Sequence, residues 1–239
     1  MSEDTATITR MNDSLLWLAS LLQVSDSAFP TGGYAHSAGF EQIVQLGLVR
    51  DAGTMARYIE EHLWPSLVRF ELPVVRLAQA AANAGDVSEL LALDEIVDAT
   101  KGTRELREAS RALGRRRLNA LRDIDASNAP LEFLRLVEAN ETPGHHTVVF
   151  GAGLASMPPS ALLAAWAFQA LNSACLAAPK LLRIGQDAVQ RILADALAPM
   201  ESRIEASRSV TRDDIGWFDP ALEIASMQHE IAHERLFIS

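Results

Sequence analysis

The stretch from Ala161 to Ala178 constrains this chain more than any other segment, because it contains no charged residue. It is rich in alanine and stops at Pro179-Lys180. A helix that spans a bilayer needs about 20 predominantly apolar residues. Here Gln169, Asn172 and Ser173 interrupt the apolar run near its middle. The expected structure is therefore the central, fully buried helix of a soluble bundle, with no membrane span.

The rest of the chain supplies partners for such a helix. Leu15, Leu18, Ala19 and Leu22 follow helical spacing, and Asp13 or Ser14 can cap that helix. Pro30, Gly32, Gly33 and Gly39 break the pattern, and a short helix carrying Phe40, Ile43 and Val44 ends near Gly47. Thr54 to Ala82 reads as helix, with kinks or breaks expected at Pro65 and Pro73, since proline removes a donor and clashes with the preceding turn. Ser88 to Lys101 and Thr103 to Ile124 form an amphipathic pair. Short helices are expected around Leu131 to Val137 and Val148 to Met157. A further stripe runs through Val189, Ile192, Leu193 and Leu197. Ser207 to Asp219 reads as loop, and a last helix starts near Pro220. No segment alternates at period two, so the expected fold is all-α: a multi-helix orthogonal bundle with no sheet. Residues 1–13 read as a mobile segment, and 14–239 as a single domain ending in a helix and tail at about 220–239.

With a net charge of −10, a general affinity for nucleic acid or an anionic membrane is not expected. Cys175 is the only cysteine, so neither an intramolecular disulfide nor a C-x-x-C metal knuckle can form. The segment after Met1 has no basic region or apolar run, so no secretory signal is expected. A reducing cytoplasm fits all of this.

One motif matches known chemistry. His229-Glu230-Ile231-Ala232-His233 has the H-E-x-x-H spacing, which on a helix sets two imidazoles one turn apart beside a carboxylate, as in zinc proteases. A catalytic zinc also needs a third protein ligand, and no His, Asp or Cys follows His233. A polar helix face is the plainer reading. His145-His146 is a second pair, but adjacent helical side chains diverge by about 100°, so one metal rarely takes both. After Pro143-Gly144, one imidazole can cap a helix and the other can pack; a metal role requires bridging across subunits. Phe29 to Tyr34 is glycine-rich but lacks the spacing and the lysine of a phosphate loop. Arg115-Arg116-Arg117 reads as a solvated helix face. The residues alone thus stop at an all-α binding module.

Three separated segments resemble the UreF family of urease accessory proteins. The first is Leu21 to Glu41, with a leucine helix, a proline-glycine turn, an aromatic, a serine and a G-x-E at Gly39 to Glu41. The second runs from Gly144-His145 through Leu171-Asn172-Ser173 to Gly185-Gln186 and Gln190. The third is Met227-Gln228-His229-Glu230 followed by Arg235-Leu236-Phe237. Their order covers about residues 14 to 239. His233 stands where the family usually has an aromatic or another residue, which makes the zinc-protease pattern accidental. Ile238 stands where many members carry arginine.

The resemblance implies an all-α homodimer without catalytic activity or cofactor of its own. The implied partners are the UreD/UreH accessory protein, the GTPase UreG and the urease apoprotein. Any nickel passes through that complex, and the GTP chemistry belongs to UreG. It implies partner-binding roles for Tyr34, Lys180, Gln186, His229, Glu230, Arg235, Leu236 and Phe237, and no metal ligand. Lys180 carries a second reading, as a cation favoured by the helix C-terminus. A zinc hydrolase working through His229 and His233, and a helical adaptor without urease partners, stand as alternatives.

Overall fold

A computed structural model describes residues 15–33, 37, 39–124, 131–230 and 236–237, with only the backbone of Glu230. Tyr34, Arg235, His233 and Ile238, and the expected caps Asp13 and Ser14, lie outside the described residues. Among those described, the structure is an all-α bundle with no strand.

The chain opens with α1 (Leu16–Ser25), the glycine-rich turn and α2 (Phe40–Gln45). Asp51 and Thr54 then form a reciprocal cap that starts α3 (Ala52–Tyr58). From there to Gly85 the chain stays helical through both prolines, so the expected breaks do not occur. Two wide turns absorb them: Ile59–Leu63 leads to α4 (Trp64–Ser66), and Leu67–Glu71 leads to α5 (Leu72–Ala84). The amides of Trp64 and Leu72 each bond five residues back, to Ile59 and Leu67. Widening the turn just before Pro65 and Pro73 relieves the clash of each ring with the carbonyl behind it.

Asp86 caps α6 (Val87–Thr100) by accepting from the Glu89 amide at 2.9 Å. Then follow α7 (Arg104–Ile124), α8 (Leu131–Glu138), α9 (His146–Gly153), α10 (Pro159–Leu181), α11 (Gln186–Leu197), α12 (Met200–Arg208) and α13 (Pro220–Glu230). The α12 helix occupies a stretch whose sequence has no strong apolar stripe.

Two apolar cores flank α5 and α9. Leu72 and Val75 of α5 and Phe150 of α9 join the larger one, with α1, α2, α10 and α11. Val74 and Ala78 of α5 and Val148, Val149 and Ala152 of α9 join the smaller one, with α6, α7 and α8. Two glycines let the helices close on this shared pair. A Cβ on Gly151 would lie 2.4 Å from the Val75 carbonyl oxygen, and one on Gly114 would lie 2.0 Å from the Gly144 carbonyl oxygen.

The α10 helix is long and apolar enough to cross a membrane, yet half of its most apolar window is buried inside the fold. The full burial expected from sequence does not hold. Phe168 and Leu176 face outward, and the helix continues through Pro179 to Leu181.

Gly114→Ala should lower the unfolding free energy by about 3 kcal/mol or more, because backbone rather than a movable side chain blocks the new methyl. Gly185→Ala, in open space, should stay within about 0.5 kcal/mol. Urea denaturation of both variants checks the contrast.

Candidate functional site

The C-terminal segment folds back onto α2 through one carboxylate. Glu41 accepts the Leu236 amide at 2.8 Å on Oε1 and the Phe237 amide at 3.0 Å on Oε2. A side chain only 2% exposed holds two successive backbone donors in this way. The Ser37 hydroxyl accepts the Glu41 amide at 3.3 Å and so anchors the start of α2.

Behind Glu41 sits His229 of α13, with no solvent exposure. Its Nε2 lies 3.1 Å from Glu41 Oε2, and its Nδ1 lies 3.0 Å from Glu105 Oε2 of α7. Both ring nitrogens therefore face carboxylates. A zinc-protease histidine keeps one nitrogen for the metal, so this geometry lends that reading no support.

Gly39, at φ +84°, makes the crossing of α2 and α13 possible, since a Cβ there would lie 2.6 Å from Ser226 Oγ. Phe237 is buried in the larger core, and Lys180 of α10 places its ammonium 5.2 Å from the ring centroid. Lys180 thus holds the tail's aromatic, a role that neither sequence reading named. Leu236 points outward and is 71% exposed. Gln186 is exposed at the start of α11 and stands outside this cluster.

The glycine-rich turn is held from beneath by α7. Arg117 is 2% exposed, which corrects the solvated reading of the arginine run. It donates to the Val24 carbonyl at 2.8 Å, to Gln169 Oε1 at 3.0 Å and to His146 Nε2 at 2.8 Å. The Phe29 and Phe150 rings lie about it at 5.3 and 5.0 Å. Burial pushes this guanidinium down to about 9. Arg116 reaches the Thr31 carbonyl at 3.4 Å and is exposed.

The histidine pair opens α9. Buried Asp94 accepts the Thr142 hydroxyl and the Gly144 amide, each at 2.6 Å, and the His145 amide at 2.7 Å. No imidazole caps the helix as expected; Asp94 instead holds the backbone just ahead of it. The His145 ring is fully buried, 3.0 Å from Ser110 Oγ and 2.9 Å from Asp98 Oδ1. Such a ring cannot bridge to another subunit. The His146 ring packs edge-on against Trp166 at 5.0 Å, as the packing expectation has it.

Of the proposed site residues, the structure gathers Lys180, His229 and Phe237 around the tail seat, with Glu230 ending the same helix. Sequence reasoning missed Glu41, Glu105, Arg117 and Asp94. The G-x-E that ends on Glu41 was the one available signal.

The sequence has relatives among known proteins. The UreF family model matches residues 49–197. A urease accessory protein UreF from Azoarcus sp. is 37% identical over 227 residues, covering 94% of this chain and 97% of that protein. Those from Paenarthrobacter aurescens and Azotobacter vinelandii are 33% and 34% identical, covering 95% and 92% of this chain. The chain belongs to the UreF family. Both stretches outside the matched region, the turn with α2 and the tail with α13, meet at Glu41. The near-full-length matches to relatives extend over them as well.

Arg117→Ala should lower stability by about 3 kcal/mol, since it strands the Val24 carbonyl and Gln169 Oε1 without their donor. Chemical denaturation measures this, and proteolysis should show α1 released first.

Acid should also weaken the fold. Burial pushes the His145 imidazole below its ordinary value of 6.5, against the opposing hydrogen bond to Asp98. Burial raises the Asp98 carboxyl, but hydrogen bonds from Arg111 and His145 outweigh it and hold the group below 3.8. In both cases the unfolded chain binds the proton more readily. The stability is present above the unfolded value and is lost as pH falls through it, first for His145 below 6.5. The denaturation midpoint should fall between about pH 7 and about pH 5, less steeply in His145→Gln.

Proposed function

We propose that this chain is a non-catalytic scaffold of urease maturation that bridges the UreD/UreH accessory protein, the GTPase UreG and apo-urease while nickel is inserted. The observation that carries this is the near-full-length similarity to urease accessory proteins UreF. Their name places them as accessories to urease, and a scaffold needs surfaces rather than a reaction centre. Residues 14–239 act as one domain, and the acidic composition with a single buried cysteine fits the cytoplasm.

The surfaces support the reading. Leu16 and Leu22 stand exposed on α1, with Leu15 just ahead of it, and Phe168 and Leu176 on the neighbouring α10. Apolar rows of this kind on a water-soluble bundle mark assembly faces. We assign them to a homodimer. Ile224 and Met227 of α13 and Leu236 of the tail are exposed as well, and we assign them to the accessory partner. Tyr34 and Arg235, which flank the seat in sequence, are assigned to recruiting UreG through the surface that the tail completes.

Light scattering should give about twice 26.0 kDa, and Leu176→Glu should give the monomer. Tyr34→Ala and Arg235→Ala should leave the dimer folded, yet weaken the ternary complex on size exclusion and reduce urease activation. Normal assembly and activation by both variants would remove the recruitment role. Failure of the unmodified chain to co-elute with UreD/UreH and UreG would remove the scaffold reading itself.

A further inference from the structure

We propose that the groove lined by Arg69, Thr100, Gly216, Trp217 and Phe218 is a docking site for an acidic segment of a partner protein, in which a carboxylate sits beside an aromatic or other apolar side chain.

The groove lies where the segment ahead of α13 crosses the wide turn Leu67–Glu71. The Gly216 amide donates to the Arg69 carbonyl at 3.2 Å and fixes the crossing. Ile215 and Trp217, on either side of that bond, pack against the smaller core. Phe218 comes next and is 71% exposed. The result is a hollow of about 510 Å³, bounded also by Thr100 at the end of α6. Pockets that hold ligands measure about 300–1,000 Å³ and join apolar walls to a few polar groups. This one joins two aromatic residues to one cation.

That cation is unmatched. Arg69 is exposed, and among the described contacts its guanidinium has neither a hydrogen-bond acceptor nor an ion-pair partner. The carboxylates closest to the groove along the chain are engaged elsewhere. Glu71 accepts from the Trp166 indole at 2.7 Å. Asp219 pairs with His62 and accepts the Ala221 and Leu222 amides at 3.1 and 3.2 Å. Asp214 accepts the Thr211 hydroxyl. The Thr100 hydroxyl donates to the Ile96 carbonyl at 2.7 Å, so Arg69 is left as the donor of the groove. Lys101, next to Thr100, sets its ammonium 5.5 Å from the Phe70 ring, with no carboxylate paired to it among the described contacts. On a chain of net charge −10, this is a local reversal of sign. A guanidinium takes a carboxylate through two parallel hydrogen bonds, and the adjoining rings take an apolar side chain.

The openness of the groove selects a polypeptide over a metabolite. A small ligand is held with about 70–90% of its surface covered. Here Arg69 and Phe218 both stand open to water, so the hollow covers one side of its occupant. A segment that rests on its own protein needs no more than that.

The assignment does not rest on the urease partners, because it is read on the purified chain alone. A random heptapeptide library displayed on phage is selected against that chain. The overall charge of the chain favours basic peptides, so recovery of Asp or Glu beside an aromatic or leucine is a discriminating result. The leading peptide, labelled with fluorescein and titrated by anisotropy, should bind at least about tenfold more weakly to Arg69→Ala, and more weakly as salt rises. Arg69→Glu should prefer the same peptide with lysine in place of its acid. A Cβ on Gly216 meets nothing within 4 Å, so Gly216→Phe should fill the groove and abolish binding while the chain melts as before. Should that variant melt early, Phe218→Ser takes its place. No enrichment, enrichment without acids, or binding unchanged in these variants would each overturn the proposal. Phenylacetate binding as tightly as the peptide would make the groove a metabolite pocket and overturn the partner assignment.

Discussion

The Arg117 guanidinium lies between four parts of the fold. It takes the Val24 carbonyl near the end of α1, the Phe29 ring of the glycine-rich turn, the imidazole that opens α9 and the side-chain carbonyl of Gln169 in α10. No carboxylate is among these contacts, so the charge is stabilised by dipoles and aromatic faces rather than by an ion pair. A buried cation satisfied this way demands close placement of every acceptor, since each one lost leaves desolvated charge behind. The turn inherits its position from that demand. Through Ser37 and Gly39, the position of the turn sets where Glu41 stands.

Polar interior contacts recur with the same logic elsewhere. Asp94 ties α6 to the start of α9, and Glu41 ties α2 to the tail. Each is a single carboxylate that gathers backbone amides from a distant segment. Apolar burial brings the helices together without direction, and these carboxylates fix where segments with little apolar surface of their own come to rest. The tail is such a segment, with one buried aromatic and one exposed leucine. That composition suits a part that can be docked or released with little disturbance to the cores.

Much of the helical layout could be read along the chain, because apolar residues at a 3.6-residue period report a helix face wherever it packs. The helical runs of α6 and α7 and the stripe of α11 are examples; that α6 and α7 pack on α9 more than on each other was not legible. Pro65 and Pro73 misled that reading, since a wide turn preserves the helix while satisfying the ring. The arginine run misled it too. A guanidinium is normally solvated, and only neutral acceptors from three other elements make burial of Arg117 tolerable. Nothing local to Arg117 distinguishes it from Arg116. The turn and the tail were legible as special, but their meeting point was not.

By itself the amino-acid order determined the helical class, the start of the tail helix, the absence of alternating strands and the three segments that mark the family. These are properties of spacing and residue type within a short window. Tertiary structure alone decided that His229 stands between Glu41 and Glu105, and that Lys180 covers Phe237. Such contacts join residues far apart in the chain, where spacing carries no information about distance. They form only after the cores have set the helices at fixed angles, and a buried charge is stable only where those angles deliver its partners.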